Sequence, residues 1–124
     1  MLSPFFFDSA CQMKIAVKNI GDIVVLSVHG SIMSEPDAMQ FRKSIYSVLE
    51  KDIRKIVVDI KKVERMSSTG LGAIMAAMAS VKTRGGELCV ANATKKTGPL
   101  FIVTKLVRVL KLFESVEKAL TSFR

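Results

Sequence analysis

The chain has 124 residues and only one histidine, His29, and two cysteines, Cys11 and Cys89. No common zinc pattern can be written from so few ligands, and no Ser-His-Asp arrangement is convincing with His29 as the sole imidazole. The cysteines stand far apart, in neither a metal nor a redox spacing, so two free thiols in a reducing compartment are expected. His29 lies within a strand pattern and reads as structural. No apolar run reaches the ~18–20 residues needed to span a bilayer. Aromatic residues are 6% of the chain and do not interleave with the basic ones, as base-stacking platforms would require. Asp22, Asp59 and Glu64 suggest no paired-carboxylate centre. Gly70-Leu71-Gly72 lacks the lysine and the longer glycine pattern of a phosphate-cradling loop. These absences argue against an enzyme, a cofactor or metal site, a membrane span and direct nucleic-acid binding.

Hydrophobic residues make up 49% of the chain, enough for one domain with a packed core and too many for disorder. Lysine and arginine number 19 against 11 acids, a formal charge of +8. The basic residues are scattered, which describes a solvated basic surface and also suits an acidic protein partner. Residues 1–12 differ in character from the rest. Met1 to Phe7 has neither the basic start nor the long apolar segment of a signal peptide, so a cytoplasmic protein is expected. We read 1–12 as a mobile extension, with Phe5-Phe6-Phe7 available to pack on the domain or a neighbour, and 13–124 as the domain.

In chain order, Lys14 to Asn19 alternates, meets the turn signal Gly21-Asp22, and is followed by the β-rich run Ile23 to His29; together these predict a hairpin. Gly30 to Met33 reads as a loop. Ser34 is a candidate cap and Pro36 a first-turn residue of a helix to about Lys51, with Ala38, Phe41, Ile45, Val48 and Leu49 at helical spacing. Lys55 to Ile60 and Glu87 to Ala91 read as strands buried on both faces. A helix to about Arg84 lies between them and ends at Gly85-Gly86. Beyond a loop from Asn92 to Gly98 come a short helix from Pro99, a last strand over Val107 to Leu112, and a helix capped by Ser115 with Val116, Ala119, Leu120 and Phe123 on one face. Strand–helix–strand alternation implies parallel neighbours and right-handed crossovers. The expected fold is α/β: one domain, a mixed, mostly parallel sheet of four or five strands, an antiparallel N-terminal hairpin and about four helices. No internal repeat is visible.

The stretch Met66-Ser67-Ser68-Thr69-Gly70-Leu71-Gly72 stands between an apolar strand and a long uncharged run. Ser67, Ser68 and Thr69 are all good N-cap residues. One reading is a helix cap and nothing more. The other is a regulatory hydroxyl, because a phosphate on Ser67 or Ser68 would sit at the positive end of the helix dipole and add about −1.5 to −2 charges to a docking surface. The helix that follows carries no charge from Gly70 to Val81. Leu71, Ile74, Met75, Met78 and Val81 form a core stripe. Ala73, Ala76, Ala77 and Ser80 leave a small, smooth side that suits docking, or that another part of the chain covers.

Ser67-Ser68-Thr69-Gly70-Leu71-Gly72 resembles the D-S-[ST]-G-L-G signature of STAS domains, the family of bacterial anti-sigma factor antagonists. Gly30-Ser31-Ile32 resembles the family's G-x-[IL]-D loop, Val57-Val58-Asp59-Ile60 its buried strand, and Gly85-Gly86-Glu87-Leu88 its G-G-x-L strand start. Two signature aspartates are replaced, one by Ser67 and one by Met33. The resemblance implies a protein that binds an anti-sigma factor of serine-kinase type and lets go when the serine matching Ser68 is phosphorylated, with Ser67 as second choice. The docking surface expected from the helix and the resemblance together comprises Ser31, Met33, Met66, Ser67, Ser68, Thr69, Gly70, Gly72, Ala73, Ala76 and Ala77. The alternative is a constitutive module that is never phosphorylated, serving as a scaffold subunit or as the soluble partner of a membrane transport complex. A homodimer is compatible with either.

Overall fold

A computed structural model describes residues 13–95, 97–103 and 110–123. The extension 1–12, its phenylalanine cluster and Cys11 lie outside the described residues, as do 104–109. Five strands form one sheet: β1 (Lys14–Ile20), β2 (Ile23–Ile32), β3 (Lys55–Met66), β4 (Glu87–Ala91) and β5 (Leu112–Phe113). Spatial order follows chain order, β1-β2-β3-β4-β5. β1 runs antiparallel to β2, through a turn at which Gly21 takes φ +63°. The remaining neighbours are parallel. The helices among the described residues are α1 (Glu35–Glu50), α2 (Ser68–Thr83), α3 (Gly98–Val103) and α4 (Val116–Ser122). The expected α/β architecture, hairpin and four helices are therefore observed.

The all-apolar strands explain the layering. Alternate residues of a strand face opposite ways. Val24, Leu26, Ile56, Val58, Leu88 and Val90 face a large core closed by α1 and α2, where Phe41, Ile45, Ile74 and Val81 are fully covered. Ile23, Val25, Val57, Cys89 and Ala91 face a smaller core closed by α4 through Val116, Ala119, Leu120 and Phe123. Two neighbouring crossovers leave the sheet in the same sense, so α1 and α2 start at the same sheet end, beyond the C-terminal ends of β2 and β3.

Three strands differ from expectation in their bounds. β2 runs on through Gly30-Ser31 to Ile32, and β3 runs on to Met66, because the two strands pair along that whole extension; its irregularities are bridged by register shifts at Ser27/His29 and Gly30/Ser31. Strand propensity is weak in Gly30-Ser31 and in Lys61-Lys62, and partner pairing overrides it. The last strand is only Leu112–Phe113, set by pairing with Val90 and Ala91; the expected positions 107–109 lie outside the described residues.

Candidate functional site

The ends of β2 and β3 and the first turns of α1 and α2 converge on one rim, held by a short chain of hydrogen bonds. Ser34 caps α1 and accepts from the Asp37 N–H at 3.4 Å. The Asp37 carboxylate reaches back and accepts from the N–H groups of Met33 (3.1 Å) and Ser34 (3.2 Å). This reciprocal capping box fixes the turn that carries Met33. The sequence carries the signal for this box in the spacing Ser34…Asp37, a serine with an acid three residues on, and the structure adds Asp37 to the residues that shape the site.

Ser67 caps α2. Its N–H donates to the Ile32 carbonyl at 3.1 Å, its hydroxyl donates to the Met33 carbonyl at 3.0 Å, and the same oxygen accepts from the Gly70 N–H at 3.4 Å. The Ser67 side chain is thus occupied in tying α2 to the end of β2. Ser68 is the first residue of α2 and is exposed. The first turn of α2 contains no acid, whereas that of α1 holds Glu35 and Asp37. The positive end of the α2 dipole is therefore not offset by a carboxylate of its own first turn.

The two glycines of the stretch do different work. Gly70 is buried, and a Cβ there would drive into the Ile32 carbonyl and side chain. Only glycine lets α2 approach β2 so closely. Gly72 is exposed with open space around it. The outward side of α2 runs from Ser68 through Gly72 and Ala76 to Ala79.

Of the residues expected to form a docking surface, the structure brings together Ser31, Met33, Met66, Ser67, Ser68, Thr69, Gly72 and Ala76, with Met33 an apolar member at 44% exposure. Ala73 and Ala77 are corrections: they are 1% and 2% exposed and belong to the main core. Alanine at those positions sets a close fit to the body of the domain, and an uncharged helix read without its neighbours gives no sign of which small residues face inward. Gly70 likewise shapes the site from beneath and offers no surface. His29 is exposed on β2, away from these bonds. Cys89 is 1% exposed in β4, and burial, with the Glu87 carboxylate beside it, pushes its thiol up to about 12. Such a thiol is not a nucleophile at neutral pH.

No helix among the described residues is long and apolar enough to cross a membrane. Comparisons with known proteins agree with the fold. A Thermotoga maritima protein provisionally named an anti-sigma factor antagonist is 26% identical over 108 residues, covering 86% of this chain and 95% of its own. The crystal structure of an anti-sigma factor antagonist from Mycobacterium paratuberculosis superposes with a TM-score of 0.79 at 23% identity, covering 89% of this chain and 92% of that one. SpoIIAA, an anti-sigma factor antagonist and Bacillus cell fate determinant, superposes in its unphosphorylated form at 0.76 and in its phosphorylated form at 0.69, both at 17% identity over 90% of this chain and 96% and 100% of those chains. The STAS domain family model matches residues 14–119, from the first strand to the last helix. With that match and a sheet, helix order and α2 start of the kind its motifs implied, the chain belongs to the STAS domain family.

Proposed function

We propose that this protein is an anti-sigma factor antagonist: it binds an anti-sigma factor of serine-kinase type through the rim around Ser68, and phosphorylation of Ser68 releases it. The observation that carries the reading is the division of labour between the two serines. Ser67 is held by three hydrogen bonds, while Ser68 stands exposed one residue on. A phosphate on Ser68 would meet the positive end of α2, so the fold tolerates it. The same dianion would share the rim with Met33 and lie one turn from Gly72, where a docked partner would have to desolvate it. The protein acts by binding and carries out no chemistry itself; it serves as the kinase's substrate. The relatives named as anti-sigma factor antagonists, and the solved phosphorylated form of SpoIIAA, support this reading.

A second reading is a constitutive STAS module. It is favoured by Ser67 and Met33, which stand where the signature has aspartates, and by Met33 and Met66, which make the rim more apolar and adaptable. Incubation with a serine-kinase anti-sigma factor and ATP, followed by phosphopeptide mapping, separates the two. The expected outcome is one phosphate that disappears in Ser68→Ala and persists in Ser67→Ala, with Ser68→Asp folded and failing to bind. Phosphate on Ser67 would move the site, and no phosphate with equal binding by Ser68→Asp and Ser68→Ala would establish the constitutive module.

A further inference from the structure

β3 is longer than the strand beside it. β4 pairs with β3 only from Lys55 to Asp59, whereas β2 stays paired with β3 as far as Met66. The chain leaves the sheet at Asn92, which takes φ +66° and whose side-chain amide donates to the Asp59 carboxylate at 2.9 Å. That carboxylate also accepts from the Lys61 N–H at 3.0 Å, closing the ladder at its last rung. From Ile60 to Met66, no strand among the described residues occupies the β4 side of β3.

Along that edge lies a groove of about 520 Å³, lined by Lys61, Lys62, Val63 and Glu64 on one side and by Thr94 and Lys95 on the other. Four consecutive strand residues can line one groove only if it follows the strand's edge, since alternate side chains leave by opposite faces. The far wall is itself braced: the Thr97 hydroxyl, fully buried, accepts from the Thr94 N–H at 3.1 Å, and Gly98 N–H donates to the Thr94 carbonyl at 2.6 Å. Lys61, Lys62 and Lys95 enter no salt bridge among the described residues, against one acid, Glu64.

We propose that this edge is a second binding site, which takes an extended acidic segment of a partner protein as an added strand of the sheet. Strand addition satisfies edge N–H and C=O groups whatever the guest's sequence. The three lysines, all outside the core, select carboxylate side chains, whereas Val63 is 2% exposed and anchors the strand in the main core. The site is separate from Ser68 and does not depend on phosphorylation. Lysines on an open edge also deter self-association, and that guarding role alone is the alternative the test must exclude.

The test uses the full chain, labelled with ¹⁵N, and an alternating glutamate–valine octapeptide titrated to millimolar concentration. Amide shifts centred on Lys61 to Arg65, and slower hydrogen exchange there, are expected. An N-methylated version of the peptide, which cannot pair, and the triple variant Lys61→Glu/Lys62→Glu/Lys95→Glu should each weaken binding tenfold or more. Ser68→Asp should bind the peptide unchanged. The proposal is overturned if no amide on this edge responds, if the N-methylated peptide binds as well, or if a single-stranded oligonucleotide gives the same shifts. The first result would leave the lysines as edge guards; either of the others would make the patch a general anion surface.

Discussion

Two glycines separated by Leu71 carry opposite expectations. Gly70→Ala would force α2 off β2, because the new methyl meets the Ile32 carbonyl, and overpacking of that kind costs about 1–3 kcal/mol. Gly72 has no neighbour to obstruct a methyl, and alanine favours the helix by about 0.8–1 kcal/mol over glycine. Urea denaturation of the two variants should therefore move the midpoint in opposite directions. Equal destabilisation would show that Gly72 is also a packing glycine. The pair also separates fold from surface, since Gly72→Ala adds a methyl beside Ser68 without disturbing the core.

At the level of elements, the site depends on how α1 begins as much as on α2. Asp37 is 6% exposed and holds the Met33 and Ser34 amides. Asp37→Ala leaves both amides without that partner, which costs about 1–3 kcal/mol. We expect hydrogen exchange at Met33 and Ser34 to accelerate more than at the middle of α1, with the helix itself retained. Uniform acceleration along α1 would mean that the cap secures the helix rather than the turn. The Met33 carbonyl also receives the Ser67 hydroxyl, so loosening this turn removes the anchor of the α2 cap.

At the scale of the molecule, the sheet is covered unequally. The sixteen-residue helices α1 and α2 close one face, and the seven-residue α4 closes the other over Cys89. The Cys89 thiol moves from an ordinary value of 9.0 to about 12 on folding. Between those values the native state keeps a proton that the unfolded state has lost. Cys89 therefore takes no stability away below about pH 9. Above it, stability falls as pH rises, with a slope approaching about 1.4 kcal/mol per pH unit from this group. Denaturation midpoints between pH 8 and pH 11 should fall more steeply for the native chain than for Cys89→Ala, and parallel curves would show that the thiol ionises freely in the fold.

The order of elements was written into the chain locally, because apolar periodicity, Ser34, Ser67 and Ser115 as caps, and the Gly21 and Gly85-Gly86 breaks are signals that survive without neighbours. The same signals located the Ser68 stretch, where strand, serine run and helix meet. What they left open is everything decided by contact across chain distance. Pairing with β2 carried β3 on to Met66 and so made an edge that β4 does not fill. The fit of α1 and α2 to the body of the domain buried Ala73 and Ala77 while leaving Ala76 outside, although all three look alike along the chain. The Met33 carbonyl, thirty-four positions away, engaged Ser67 and left Ser68 as the exposed hydroxyl. A side chain's direction depends on what already occupies the space beside it, and only the assembled sheet and helices supply those occupants.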